Sequence, residues 1–136
     1  MKFNKPLMLI IVSILVGFSG CTSHKGLRIV YPEYNDTIAD LQPTLQWEAI
    51  PGSSVTYDLV VYEFEEENPV YYKEGLKDAT HKIEKELKPN TLYRWSVRSR
   101  KGSDVSEWTK RETQVFTGIS YHRRVKYMRF STPENQ

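Results

Sequence analysis

The side chains of this chain that could do chemistry are few and widely separated. The sequence has one cysteine, Cys21, and the glycine-adjacent serines Ser53 and Ser103 lie in turns rather than in a nucleophile elbow. The histidines have no spacing that suits a metal ion; they are His24, His81 and His122. We therefore expect a non-catalytic protein, not an enzyme, with no cofactor and no metal site.

Cys21 has the most informative position of these residues. It follows a short basic start and a twelve-residue apolar run at residues 7–18. That run is too short for a helix that spans a hydrocarbon core of about 30 Å, but it has the proportions of the apolar region of a secretory signal. The sequence thus predicts a signal peptide at residues 1–20, with cleavage between Gly20 and Cys21.

The tetrapeptide Phe18-Ser19-Gly20-Cys21 resembles the lipobox of bacterial lipoproteins, although that family usually has Leu where Phe18 stands. The resemblance implies that the Cys21 sulfur carries a diacylglycerol and that the processed chain is held by fatty chains such as palmitate. More than one acyl chain is needed for stable attachment. The alternative is an ordinary secretory signal followed by a free cysteine.

A short tether, residues 21–26, joins the predicted anchor to the rest of the chain. The five residues after Cys21 reach at most about 17 Å when extended, so the domain is expected to lie against the membrane. In the lipoprotein family an Asp after the cysteine marks retention at the inner membrane, and Thr22 stands there instead. The resemblance therefore implies a lipid-anchored protein of the cell envelope, in the outer membrane.

Charge and size favour one ordinary domain and give no case for nucleic-acid binding. Of the 19 lysines and arginines, Lys2 and Lys5 lie in the predicted signal, which leaves 17 basic residues against 17 acidic ones. Nucleic-acid binding requires a clear positive surplus. Residues 21–136 are enough to bury a core, and a lipidated Cys21 leaves no thiol for a disulfide.

Period-two alternation, interrupted by Gly, Pro, Asn and Asp, dominates the mature chain. This pattern predicts an all-β sandwich of about seven strands within residues 27–133, followed by a short tail at 134–136. The predicted strands include residues 27–31, 43–48, 55–64, 70–72, 80–83 and 92–100.

Three separated motifs resemble fibronectin type III domains, which are immunoglobulin-like β-sandwiches. They are Leu45-x-Trp47, Tyr57-x-Leu59-x-Val61 and Leu87-x-Pro89-x-Thr91-x-Tyr93-x-Trp95-x-Val97. The resemblance implies that Tyr93 packs its ring into the core while its hydroxyl bonds a backbone group upstream. It indicates the fold and says little about activity, because this fold serves many functions.

Two segments compete for the last strand of the predicted sandwich. One is residues 112–117, and the other is residues 125–133, which alternates and ends in Phe-Ser-Thr-Pro. We expect a broken or doubled last strand, with residues 118–124 as an inserted hairpin. The alternative is a domain that ends near residue 117 and carries a basic tail.

One outward face combines apolar and cationic side chains. Val60, Tyr62 and Phe64 alternate away from the predicted core, and Arg94 and Arg98 do so on a strand that we expect to be a neighbour. Aromatic and arginine side chains concentrate binding energy at interfaces, and an exposed apolar patch usually has a use. Either this face binds a partner, or residues 118–130 fold back and cover it.

The segment Val105-Ser106-Glu107-Trp108-Thr109 resembles the second half of the Trp-Ser-x-Trp-Ser signature of cytokine-receptor fibronectin domains. In that family arginines stack on the tryptophan, which implies stacking of Arg94, Arg98 and Arg100 on Trp108. One such contact contributes about 0.5–1 kcal/mol at an exposed site. The stack would serve either as a structural link between strands or as a recognition patch.

Two functions are consistent with these patterns. The first is a protein-interaction or scaffolding module that uses the Val60, Tyr62, Phe64, Arg94 and Arg98 face against another envelope protein. The second is a carbohydrate-binding module that presents Trp108, Tyr71 and Tyr72 to a polysaccharide. The first is favoured because the aromatic residues are flanked by Arg and Glu rather than by Asp or Asn.

Overall fold

The structure, a computed structural model, describes residues 27–134, and within residues 112–116 and 121–126 it describes the backbone. Every regular element in this range is a strand. None of these residues forms a helix that is long and apolar enough to cross a membrane. Residues 1–26, with Gly20 and Cys21, lie outside the described residues, so the signal peptide, lipidation and tether stay predictions.

Eleven strands follow one another in the described range. They are β1 (Ile29–Tyr31), β2 (Asp36–Thr37), β3 (Thr44–Trp47), β4 (Val55–Glu63), β5 (Tyr71–Leu76), β6 (Thr80–Lys82), β7 (Leu92–Lys101), β8 (Asp104–Val105), β9 (Arg111–Phe116), β10 (Tyr121–Lys126) and β11 (Met128–Ser131).

The strands form two main sheets and one separate hairpin. The larger sheet has the order β2-β11-β7-β4-β5, with β8 paired to β7, and the smaller sheet has the order β1-β3-β6. All pairs are antiparallel except β2 with β11. Strands β9 and β10 pair only with each other. The predicted all-β class is confirmed.

One apolar core lies between the two main sheets. Strand β3 of the smaller sheet contributes Leu45 and Trp47, and the central strands of the larger sheet contribute alternate residues that are almost completely buried: Tyr57, Leu59, Val61, Tyr93, Trp95 and Val97. The period-two pattern of the sequence predicted which side of β4 and β7 faces inward, because successive side chains point to opposite faces of a strand. The layers therefore form a sandwich-like arrangement.

Tyr93 has the buried ring and the bonded hydroxyl that the sequence predicted. The ring is 1% exposed and stacks on Phe130 with 5.6 Å between centroids. The backbone N–H of Lys88, five residues upstream, donates to the Tyr93 hydroxyl over 2.9 Å. Burial of this phenol raises the pKa of Tyr93 above its ordinary value.

The C-terminal part of the chain differs from the expected arrangement. The inserted hairpin is larger than residues 118–124, since β9 and β10 pair from Arg111↔Lys126 to Tyr121↔Phe116. The last strand of the larger sheet is β11, which pairs with β7 and buries Phe130 completely. The alternative of a domain that ends near residue 117 is therefore wrong. Both competing segments are β-structure, but only the second joins the sandwich.

Candidate functional site

The outer face of the larger sheet brings the predicted binding residues into one array. Strands β4 and β7 are neighbours, as expected, and their antiparallel register sets outward side chains directly opposite one another. The opposed pairs are Tyr62↔Arg94, Val60↔Ser96, Asp58↔Arg98 and Thr56↔Arg100. Directly opposed side chains on one face are close enough to interact, so this register decides which arginine meets which ring.

Arg94 lies between two tyrosine rings. Its guanidinium carbon is 4.1 Å from the centroid of Tyr62 and 4.9 Å from that of Tyr127. It also donates a hydrogen bond of 2.8 Å to the backbone carbonyl of Glu66. These contacts fix the direction of the arginine and hold Tyr127, which comes just before β11, against the outer face.

Arg98 is the arginine that stacks on Trp108, with 4.4 Å between its guanidinium carbon and the ring centroid. The expected stacking of Arg94 and Arg100 on Trp108 does not occur, because Arg94 meets Tyr62 and Arg100 turns to Asp58. Arg98 and Arg100 both donate to Oδ2 of Asp58, over 2.8 Å and 2.6 Å. The arginines of β7 therefore have separate partners.

Asp58 is a buried carboxylate on the outer side of β4. It has no exposed surface, and its Oδ1 has no hydrogen-bond partner among the described residues. Burial acts to raise the pKa of Asp58, but the hydrogen bonds and charges of Arg98 and Arg100 outweigh it and lower that pKa below its ordinary value. The carboxylate is therefore ionised at neutral pH and neutralises part of the arginine charge.

A pocket of about 170 Å³ lies between the two arginine stacks. We call it the outer-face pocket; its lining residues are Val60, Tyr62, Arg94, Trp95, Ser96, Trp108, Lys110 and Tyr127. The Val60–Ser96 cross-strand pair lies between the Tyr62–Arg94 pair and the Asp58–Arg98 pair. The pocket exists because the side chains of Val60 and Ser96 are smaller than those on either side.

The segment that carries Trp108 and Lys110 is bound to β7 by its own polar groups. The Thr109 N–H donates to the carbonyl of Val97 over 3.0 Å, and the Thr109 hydroxyl donates to the same carbonyl over 2.6 Å. The Ser96 hydroxyl donates to the Thr109 carbonyl over 2.8 Å. All of these groups are buried, so they hold one wall of the outer-face pocket in a fixed position.

The size and charge of the outer-face pocket limit what it can bind. Sites for cofactors and drug-sized ligands are usually about 300–1,000 Å³, whereas a cavity of about 150 Å³ is enough for one benzene ring. The pocket of about 170 Å³ therefore suits one side chain of a partner. Two cations, Arg94 and Lys110, line it, and no carboxylate does.

No protein-family model matches this sequence, and no curated protein matches it either. The site is therefore interpreted from its own geometry. Among residues 27–134, no group of three or more His, Cys, Asp or Glu side chains is placed to hold a metal ion.

Three of the predicted face residues are less open than expected. Val60 is 4% exposed and forms the floor of the outer-face pocket, where Tyr127 is the one described lining residue from the segment 118–130. Tyr62 lies under Arg94. Phe64 does not line the pocket; it lies 5.6 Å from the guanidinium carbon of Arg129, which is also 5.1 Å from the Tyr34 ring.

The three aromatic residues of the carbohydrate alternative do not share one face of the sheet. Tyr71 and Tyr72 are successive residues of β5 and point to opposite faces. The Tyr71 hydroxyl lies 2.7 Å from Nε2 of His81, in a contact that links the two main sheets. Burial lowers the pKa of His81 and raises the pKa of Tyr71. Tyr72 is 46% exposed, opposite Val60.

Sequence reasoning missed the place of Ser96, Lys110 and Tyr127 in the outer-face pocket. Ser96 was visible only as one polar position in the alternation of β7, and no signal in the sequence marked Lys110. Tyr127 was recognised as part of a β-prone segment, but its contact with Arg94 depends on pairing between β11 and β7. Long-range pairing of this kind is not encoded in a local pattern.

Proposed function

We propose that this chain is a lipid-anchored lipoprotein of the bacterial cell envelope that binds another envelope protein through the outer face of its larger sheet. The observation that carries the proposal is the outer-face pocket, a side-chain-sized recess between two arginine–aromatic stacks. Pockets that accept one anchor residue, lined by Trp, Tyr and Arg, are where binding energy concentrates at protein interfaces.

The fixed positions of the pocket side chains support a role in specific binding. Arg94 is held by two rings and a backbone carbonyl, and Arg98 is held by Trp108 and Asp58. Side chains that are already ordered lose little further entropy when a partner binds. A preorganised recess therefore favours a specific contact over a non-specific one.

The finer fold assignment is part of the proposal. We infer a fibronectin type III-like domain from the two-sheet arrangement together with the buried Tyr93 and its bond to the Lys88 backbone. Domains of this kind commonly act as binding and spacing modules, so the fold agrees with a non-catalytic role.

The proposed localisation rests on the sequence of the first residues. The apolar run and Phe18-Ser19-Gly20-Cys21 support a cleaved signal and a lipid on Cys21, with the outer membrane as destination. The carbohydrate-binding alternative has less support, since Tyr71 packs against the core and lies on the opposite face of β5 from Tyr72.

In-cell photo-crosslinking tests the binding proposal. Tyr127, which is 45% exposed at the pocket, is replaced by a photo-reactive phenylalanine analogue, and the same analogue replaces Lys77 in an exposed loop as the matched control. We expect one dominant envelope-protein adduct from position 127 and none from position 77. Adding Tyr62→Glu should reduce the adduct, because a carboxylate would pair with Arg94 and disturb the pocket wall.

Two results would contradict protein binding at this face. The first is an equal pattern of adducts from positions 127 and 77, and the second is an adduct whose yield is unchanged by Tyr62→Glu. Retention of the chain on a polysaccharide column that survives Tyr62→Glu would instead support the carbohydrate-binding alternative.

A further inference from the structure

We propose that the partner presents an acidic segment with one aromatic or branched apolar side chain, which fills the outer-face pocket while adjacent carboxylates pair with Arg94 and Lys110. This inference rests on the proposed function and adds the chemistry of the partner. Its evidence is the combination of pocket volume, lining and unneutralised charge.

The pocket volume defines the anchor residue. A recess of about 170 Å³ admits one ring or one branched aliphatic chain, by comparison with a benzene-binding cavity of about 150 Å³. Val60 gives it an apolar floor, and Tyr62, Trp108 and Tyr127 give it aromatic walls. A basic or amide side chain would lose its hydration there without gaining a matched set of partners.

The cations at the pocket have no carboxylate partner in the described residues. Neither Arg94 nor Lys110 takes part in an ion pair there, and the Lys110 side chain belongs to an exposed residue. A guanidinium that is stacked on rings keeps its N–H donors at its edge. Carboxylates of a partner can therefore reach donors that this chain leaves available.

The one buried carboxylate near these cations is already used. Asp58 lies between Arg98 and Arg100 and receives a hydrogen bond from each. Its negative charge is therefore compensated by Arg98 and Arg100. Arg94 and Lys110 form a positive rim on the outer-face pocket. Opposite charge on the partner complements this rim, and like charge is rejected.

Selection from a library of random displayed peptides tests this chemistry, with the full chain in detergent micelles as the target. We expect the enriched peptides to contain Asp or Glu within two positions of a Phe, Tyr, Trp, Leu or Ile. A fluorescent copy of the most enriched peptide should bind Lys110→Glu at least about tenfold more weakly than the unsubstituted chain, as measured by anisotropy. Lys77→Glu, with the same charge change elsewhere, should bind as the unsubstituted chain does.

The inference is overturned by enrichment of neutral or basic peptides, by no enrichment, or by equal affinity for Lys110→Glu and Lys77→Glu. It is also overturned if the chain self-associates through Lys110 and acidic peptides do not compete with that self-association. In each case the crosslink at position 127 separates the two ideas. If position 127 gives the envelope-protein adduct, protein binding at this face stands and the partner has another chemistry. If position 127 gives no such adduct, both proposals are overturned.

Discussion

Asp58 shows how a single residue orders the outer face of the larger sheet. A carboxylate with no exposed surface is stable only when charge and hydrogen bonds compensate for its lost hydration. Arg98 and Arg100 supply both, and Arg98 in turn covers Trp108. The pocket wall formed by Trp108 thus depends on a carboxylate that does not line the pocket.

The first prediction concerns Asp58→Asn, which keeps the shape of the side chain and removes its charge. At neutral pH we expect the free energy of unfolding to fall by about 3 kcal/mol, because two arginines lose their counter-charge. The pKa of Asp58 is lowered in the folded state. Its stabilisation is therefore present above the unfolded-state pKa of about 3.9 and is lost as the pH falls below it.

Urea denaturation over a pH series measures both effects. The unsubstituted chain should lose more stability on acidification than Asp58→Asn does, so the two curves converge at low pH. Asp78→Asn is the matched control, since Asp78 is exposed and forms no ion pair in the described structure. Parallel curves for the unsubstituted chain and Asp58→Asn would contradict the assigned role.

The second prediction concerns the hydroxyl of Tyr93. Tyr93→Phe keeps the ring stacked on Phe130 but removes the acceptor of the Lys88 N–H. We expect a loss of about 1 kcal/mol, seen as a lower Tm by about 4–8 °C in circular dichroism. Tyr72→Phe, at an exposed tyrosine, should change Tm little. Equal Tm values for the two variants would show that the hydroxyl bond contributes nothing.

At the scale of elements, the C-terminal region has two parts with different roles. Strand β11 completes the larger sheet and contributes Phe130 to the core. Strands β9 and β10 of the hairpin pair only with each other. The hairpin leaves the sandwich at Arg111 and returns at Lys126, and these two residues are paired with each other. The hairpin is therefore an insertion ahead of the last strand.

The third prediction is that the sandwich folds without this hairpin. Because Arg111 and Lys126 are opposed in the ladder, an Asn-Gly turn can replace residues 112–125 and join them directly. We expect the free energy of unfolding to change by no more than about 1 kcal/mol. Deletion of residues 127–136, which removes β11, should instead leave the chain unfolded. Urea denaturation followed by circular dichroism compares the two variants, and a large loss in the first would make the hairpin part of the folding unit.

Local patterns predicted the strands better than they predicted what covers them. Alternation in β4 and β7 correctly separated Leu59 and Trp95 from Asp58 and Arg98, because the period of a strand is fixed by its backbone. It could not show that Val60 and Asp58 are buried, since the groups above them come from distant parts of the chain. The same limit explains why the predicted stacking of Arg100 on Trp108 is wrong. The strand register and the hydrogen bond to Asp58 decide where Arg100 points.

The fourth prediction concerns the proposed anchor of the whole molecule. Cys21→Ser should abolish metabolic labelling with palmitate, because no thiol remains to be acylated. Phe18→Leu, which restores the usual lipobox residue, is the matched control and should stay labelled. Palmitate labelling that persists in Cys21→Ser would contradict a lipid anchor at this residue.

The placement of β1 has a mechanical consequence under the proposed anchoring at Cys21. It is a three-residue edge strand that pairs with β3 alone among the described strands, and it is the first described strand after the proposed tether. The outer-face pocket belongs to the other sheet, beyond the core. If a partner at the outer-face pocket pulled against the proposed lipid anchor, the tension would enter through β1, so we expect this strand to detach under load while the outer-face pocket keeps its shape.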